Sequence, residues 1–123
     1  MDLIEIIGGS PLEGKIQISG SKNASLPMMI ASLLTKEKVE LENIPNLSDV
    51  STLIKLMRSL GADIKLDQSS GMKAKMSCIT KEIIHTEASY DLVRKMRASF
   101  WVLAPLIARH GEAKVSLSGG CAI

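Results

Sequence analysis

Apolar side chains recur at helical spacing in three stretches of the chain. The first stretch follows a short polar run, the second begins at Ser48 and ends at Gly61, and the third begins near Ser89 and ends at Gly111. The recurring positions are Leu26, Met29, Ile30, Leu33 and Leu34, then Val50, Leu53, Ile54, Met57 and Leu60, then Leu92, Val93, Met96, Phe100, Leu103 and Ile107. This period predicts three helices that each bury one face. We expect Ser48 as an N-cap, Gly61 and Gly111 as closing glycines, and Pro105 as a kink or interruption of the third helix.

Shorter runs in which apolar and polar residues alternate predict strands around these helices. The predicted strands are 3–7, 14–19, 39–44, 62–66, 72–78 and 113–117. The polar residues 67–71 are typical of a hairpin turn. Residues 14–78 therefore read strand, helix, strand, helix, strand, strand, which is an α/β unit whose helices cover one face of a sheet. A second unit begins at Ile83 and Ile84, and the chain contains only part of it.

The composition fits one folded domain, since 46% of the 123 residues are hydrophobic and 23% are charged. A net charge of +2 and an aromatic content of 2% exclude bulk attraction to nucleic acid and stacking on its bases. No apolar run reaches the length of a membrane span, and the N-terminus is not a signal peptide, so we expect a cytoplasmic protein without nucleic-acid or membrane partners. His85 and His110 lack nearby ligands, so no metal is predicted. In a chain with few aromatics the expected core filling includes Met28, Met29, Met57, Met72, Met76 and Met96.

Residues 19–24, Ser-Gly-Ser-Lys-Asn-Ala, leave a predicted strand through glycine and enter the first helix. One interpretation is a strand-to-helix turn whose backbone N–H groups, with Lys22, hold an anion. The other is an ordinary helix start with Ser21 or Asn23 as the N-cap, and spacing alone favours it.

Basic residues on the third predicted helix form another candidate. Arg94 and Arg97 lie with Trp101 near one edge of the apolar face. A guanidinium in such a place can bind a phosphate or carboxylate with two hydrogen bonds. The alternative is a solvated basic stripe, which charge runs on helices usually are.

The two cysteines are expected to be free thiols, because no export signal precedes them. Cys121 follows Gly119 and Gly120 after an alternating run, so its thiol lies on a flexible loop and is a candidate reactive group. Spacing alone favours an ordinary thiol at this position. Cys78 ends a strand with no base or cation pattern nearby, and we expect it to be structural.

A set of short motifs runs in order along the whole chain. They are Ser-Gly-Ser-Lys-Asn-Ala-Ser-Leu-Pro at 19–27, Asn-Ile-Pro at 43–45, Asp-Val at 49–50, Leu-Gly-Ala at 60–62, Tyr-Asp-Leu-Val at 90–93, Met-Arg-Ala-Ser at 96–99 and Gly-Gly-Cys at 119–121. Together these motifs closely resemble the UDP-N-acetylglucosamine enolpyruvyltransferase (UDP-N-acetylglucosamine 1-carboxyvinyltransferase) family. The sister family that makes enolpyruvylshikimate phosphate shares the fold, but its pattern lacks this Lys-Asn pair and this loop cysteine.

The resemblance implies an α-β prism, or inside-out barrel, of βαβαββ units, with one unit and part of a second in this chain. It implies transfer of the enolpyruvyl group of phosphoenolpyruvate to the 3-hydroxyl of UDP-N-acetylglucosamine with release of phosphate, the first committed step of peptidoglycan synthesis, without metal or cofactor. It also implies that Lys22 and Asn23 bind substrate, that Arg97 contacts phosphoenolpyruvate and that Cys121 is the proton donor and the target of fosfomycin. Cations around that thiol would lower its pKa from the ordinary value of about 8.5.

The resemblance further implies a division of the chain. Residues 1–21 correspond to strands that in the family belong to the other domain, and 22–123 to a partial domain that ends in the catalytic loop. An inactive truncated fragment with at most weak anion binding is therefore the alternative to an active transferase. Uncovered apolar faces and strand edges also predict a homo-oligomer.

Overall fold

The structure, a computed structural model, describes residues 3–70, 73–88, 90–94 and 96–116. The first unit contains α1 (Lys22–Ala31) with a 3₁₀ turn (Ser32–Leu34), β1 (Val39–Pro45), α2 (Ser48–Ser59), β2 (Asp63–Ser70) and β3 (Lys73–Ile79). The second contains β4 (Glu87–Ala88), α3 (Tyr90–Val93), a 3₁₀ helix (Arg97–Val102), α4 (Leu103–His110) and β5 (Lys114–Val115). This order confirms the predicted mixed α/β unit followed by part of another.

The sheet of the first unit has β3 in the middle, antiparallel to both β1 and β2. Because side chains alternate between the two faces of a strand, the paired rows alternate as well. An inward row is formed by Leu41, Met76 and Leu66, and the neighbouring outward row by Glu40, Ser77 and Lys65. The predicted hairpin of these two strands is confirmed, but its turn was placed too early, because β2 continues to Ser70, which pairs with Lys73.

Helices α1 and α2 pack against each other and against the strands. The side chains predicted to join them are all buried, with at most 5% exposed, and they are Met29, Leu33, Leu53, Ile54 and Met57. Met28 was expected in the core but is 46% exposed, because it lies off the buried row of α1. One core cluster continues into the second unit through Val93, Val102 and Leu106.

The second unit is a βαβ arrangement in which β4 and β5 pair in parallel. Its predicted single helix is wrong, because the backbone is extended at Met96, with φ −154° and ψ 119°, and resumes as the 3₁₀ helix. Pro105 does not interrupt a helix but lies in the first turn of α4, where a missing N–H costs little. Phe100 and Ile107, expected to point inward, are 42% and 49% exposed.

Local capping rules predict the ends of α2 and α4 correctly but not the start of α2. Gly61 has φ 111°, and the N–H groups of Gly61 and Ala62 donate to the carbonyls of Arg58 and Met57, which is a Schellman motif. Gly111, with φ 84°, closes α4 as predicted. Ser48 is not the N-cap of α2, because Leu47 takes that place without a side-chain hydrogen bond.

Residues 3–20 form neither helix nor strand, so the predicted strands 3–7 and 14–19 are not formed. A strand needs a neighbouring strand to satisfy its backbone, and the described residues supply none to this segment. The assignment of 1–21 to another domain stays a prediction. Among the helices in the described ranges, none combines the length and the apolar character that crossing a membrane requires.

Candidate functional site

Helix α1 begins at the predicted anion-binding candidate. Ser21 is its N-cap, and the hydroxyl of Ser21 accepts a hydrogen bond of 3.4 Å from the backbone N–H of Ala24. The hydroxyl of Ser25 donates to the Ser21 carbonyl at 2.8 Å, which fixes the first turn further. Lys22 and Asn23 are therefore the first two helical residues, and of the two predicted caps Ser21 is the correct one.

The approach to α1 is held against β1. Gly20 lies beside the carbonyl group of Asn43, and nothing larger than glycine fits there without a shift of the backbone. Asn43 itself has φ 59°, and the register of β1 on β3 is irregular between Leu41 and Ile44. The bulge in β1 thus provides the packing contact that positions the residues leading into Lys22.

Lys22 forms an ion pair with Asp49. Its Nζ lies 3.0 Å from Asp49 Oδ2, and the two side chains are 47% and 33% exposed. Asp49 lies in the first turn of α2, where the helix dipole favours a carboxylate. The pair joins the starts of α1 and α2.

Arg97 opens the 3₁₀ helix of the second unit, and this helix packs against α1. Within the described residues Arg97 makes no hydrogen bond or ion pair, and it lines an open cavity of about 330 Å³ with Ala98, Phe100 and Trp101. Arg94 differs, because its Nε lies 3.4 Å from Asp91 Oδ1 and its guanidinium lies over the ring of Tyr90. The predicted basic edge therefore separates into Arg94, which is paired, and Arg97, which is exposed and unpaired among the described residues.

The fourth candidate, Cys121, lies outside the described residues together with Gly119 and Gly120. The structure therefore brings Lys22 and Asn23 together on α1, and packs the helix that begins with Arg97 against the same α1. Cys78 is fully buried beside Thr80, as expected of a structural thiol. In the parts of the chain that the structure describes, no group of three or more His, Cys, Asp or Glu side chains could hold a metal ion.

Asp49 and Arg109 are residues whose contacts the sequence did not predict. The sequence offers only an acidic residue in the first turn of a predicted helix, and nothing in it pairs Asp49 with Lys22. Arg109 lies in the last turn of α4, and the sequence indicates only that a cation there suits a helix C-terminus. Its Nη1 donates to the carbonyls of Leu33 and Thr80 at 2.9 and 2.8 Å, so it ties α4 to the first unit.

Comparisons with known proteins agree on one family. A family model described as EPSP synthase (3-phosphoshikimate 1-carboxyvinyltransferase) matches residues 6–123. The chain is 53% identical to the UDP-N-acetylglucosamine 1-carboxyvinyltransferase of Methylocella silvestris and 52% identical to that of Sinorhizobium fredii. Both matches cover 100% of this chain and 30% of the relative. The chain thus spans about a third of the length of the curated relatives that it matches.

A solved structure has the same arrangement of elements. It is the crystal structure of the enolpyruvyl transferase NikO from Streptomyces tendae, with a TM-score of 0.70 and 26% sequence identity. The match covers 86% of this chain and 24% of that one. The fold is therefore that of an enolpyruvyl transferase unit, as the motifs predicted.

Proposed function

Because the chain belongs to the EPSP synthase (3-phosphoshikimate 1-carboxyvinyltransferase) family, we propose that it serves an enolpyruvyl transfer from phosphoenolpyruvate to the 3-hydroxyl of UDP-N-acetylglucosamine. The observation that carries this proposal is the 53% identity, across 100% of this chain, to a UDP-N-acetylglucosamine 1-carboxyvinyltransferase. It favours the nucleotide sugar over 3-phosphoshikimate as acceptor. The reaction would begin peptidoglycan synthesis.

The reaction assigns a task to each candidate residue. The 3-hydroxyl oxygen bonds to C2 of phosphoenolpyruvate and loses its proton to a base, while the Cys121 thiol gives a proton to C3. A proton then leaves C3 as phosphate departs, which restores the carbon–carbon double bond on the product. Lys22, Asn23 and Arg97 bind the anionic substrate and stabilise the charge that develops on it.

The described geometry supports these binding tasks. Phosphoenolpyruvate carries a phosphate and a carboxylate, so its site requires more than one cation. Lys22 and Asn23 lie at the start of α1, where unpaired backbone N–H groups and the dipole favour an anion. The Arg97 guanidinium is exposed and lacks a protein partner among the residues described, so it is free to bind an oxygen pair.

The 123-residue chain by itself is the second candidate, as an anion-binding unit without turnover. The fact that favours it is that the chain spans only 30% of the relative's length. Catalysis depends on several groups held together at close range, and residues supplied by the remainder of such relatives would be absent. We expect the purified chain to release no phosphate from phosphoenolpyruvate and UDP-N-acetylglucosamine.

A chimera tests the proposal. Residues 1–123 replace the matching N-terminal 30% of the Methylocella silvestris relative, and phosphate release is measured with UDP-N-acetylglucosamine or 3-phosphoshikimate as acceptor. We expect turnover with the nucleotide sugar only. The Cys121→Ala variant of the chimera should lose this turnover, and a folded Cys78→Ser control should keep it. Fosfomycin should add once to the chimera and not to its Cys121→Ala variant by intact mass. A folded chimera that uses 3-phosphoshikimate, or neither acceptor, would contradict the proposed reaction.

A further inference from the structure

We propose that Asp49 is a positioning residue, which holds the Lys22 ammonium at the start of α1 in the orientation that binds the anionic substrate. This inference rests on the proposed function, because it needs an anion to bind at Lys22. It concerns a residue that does not itself touch the substrate. Asp49 acts through its 3.0 Å contact with Lys22 Nζ.

The carboxylate of Asp49 is held by its own helix. Asp49 lies in the first turn of α2, directly before Val50, which is 2% exposed. Burial of Val50 anchors this turn in the core, and the helix dipole favours a negative charge there. The α2 N-terminus has no side-chain cap, so Asp49 supplies the negative group that such an end favours.

The backbone of Lys22 is held as firmly from the other side. Gly20 packs against the Asn43 carbonyl, and Ser21 is the N-cap of α1. The Lys22 side chain, in contrast, has four rotatable bonds and is 47% exposed, so without a partner it would sample many orientations. The contact with Asp49 selects among them.

The pair leaves the ammonium able to bind a ligand. A lysine ammonium has three N–H donors and Asp49 engages one side of it, so donors remain for phosphate or carboxylate oxygens. Ion pairs with this much exposure contribute little to stability, so we expect the role of the pair in ligand orientation to exceed its role in folding. A pair that instead blocked the site would have the opposite effect on affinity.

The first test uses the 123-residue chain itself. Phosphoenolpyruvate is titrated into ¹⁵N-labelled protein, and the dissociation constant is read from the amide signals of Lys22 and Asn23. We expect Asp49→Asn to weaken binding about tenfold, as loss of a group that orients a ligating side chain does, and Asp49→Glu to recover most of it. The matched control is Glu40→Gln, which breaks the exposed Lys38–Glu40 pair of 2.8 Å and should leave the affinity unchanged.

The outcomes separate this inference from the proposed function. Equal or tighter binding by Asp49→Asn, with wild-type binding intact, would overturn the positioning role and leave the proposed function standing. Absence of any response at Lys22 in the wild-type chain would remove both the binding role of Lys22 and the task of Asp49. In the chimera, Asp49→Asn should raise KM for phosphoenolpyruvate about tenfold, with KM for the nucleotide sugar unchanged and the melting temperature lowered only slightly by loss of the charge at the start of α2. A lower melting temperature with unchanged KM would show a purely structural pair.

Discussion

The Cα of Gly20 lies so close to the backbone carbonyl of Asn43 that a side chain at residue 20 would overlap it. A Cβ there would also lie 2.9 Å from the Asn43 carbonyl carbon and 3.2 Å from Cδ of Pro45. These are mostly main-chain atoms, which cannot turn aside as a flexible side chain can. The start of α1, and with it Lys22, therefore depends on a glycine at this position.

Gly20→Ala should destabilise the protein by roughly 1–3 kcal/mol, the usual cost of overpacking a close contact. Guanidinium unfolding measures this change, and amide shifts of Lys22 and Asn23 should report the displaced helix start. Gly14→Ala is the control, because nothing lies within 4 Å of a Cβ at that residue. Equal stability of the two variants would show that Asn43 does not constrain Gly20.

Arg109→Met should destabilise the protein by roughly 1.5–3 kcal/mol, because hydrogen bonds from a charged group are lost. The guanidinium donates from Nη1 to Leu33, Thr35 and Thr80 at 2.9, 3.3 and 2.8 Å, and from Nη2 to Lys81 at 3.0 Å, in each case to the backbone carbonyl. Thermal or denaturant unfolding provides the measurement.

Arg94→Met is the matched control for Arg109→Met. Its exposed partner Asp91 lies 3.4 Å away, and such pairs contribute about 0.2–1 kcal/mol. If the two arginine variants lost the same free energy of unfolding, the carbonyl contacts of Arg109 would not be what joins α4 to the first unit.

Lys38→Met should raise the pKa of Glu40. A hydrogen bond from Lys38, then the charges of Lys38 and Lys75, hold the pKa of the Glu40 carboxyl below its ordinary value of 4.5. Since the folded pKa is depressed, the small stabilisation is present above the unfolded pKa and is lost as the pH falls through the folded pKa. NMR titration of the Glu40 carboxyl measures the change, with Lys36→Met as control. An unchanged midpoint in Lys38→Met would mean that the 2.8 Å pair does not persist in solution.

We expect the chain to self-associate through residues 3–19, the N-terminal arm, because their apolar side chains are exposed. Its apolar side chains are between 79% and 97% exposed, and they are Leu3, Ile4, Ile6, Ile7, Leu12, Ile16 and Ile18. Exposed apolar side chains in such number tend to become buried against a partner, and in a pure sample the available partner is a second copy of the chain. Sedimentation velocity should show a dimer or larger species.

Replacing Ile4, Ile6, Ile16 and Ile18 together by Ser should return the chain to a monomer. The comparison variant carries Ile107→Ser, at a residue that is 49% exposed and outside the arm. A wild-type chain that stays monomeric at high concentration would contradict the prediction.

The first unit could be predicted from sequence because its periods are regular. Alternation along 62–66 and 74–78 matches the faces of β2 and β3, and the helical spacing of Leu53 and Met57 matches the buried face of α2. These signals need no knowledge of the rest of the fold. The start of α1 was predicted less sharply, because Ser21 and Asn23 were both candidate caps and only the structure selects Ser21.

The second unit was predicted less well, because its buried positions change period. Met96, Ser99 and Val102 are all buried at a spacing of three, which is the period of a 3₁₀ helix. The change of period could not be recognised from the sequence, because one of the three buried positions is a serine and not an apolar residue. In the described residues Ser99 Oγ is a buried side-chain oxygen without a hydrogen-bond partner. The Lys22–Asp49 pair could not be predicted at all, because two helices far apart in sequence bring it together.

The bulge of β1 also determines how the sheet meets other chains. β1 is an edge strand, and a regular edge would present an unbroken row of N–H and C=O groups on which another strand could assemble. In β1 the positive φ of Asn43, 59°, interrupts this row of backbone groups. Pro45 has no N–H, and the charged residues Glu40 and Glu42 lie along the strand. The bulge of β1 against which Gly20 packs thus also protects this edge of the sheet against aggregation.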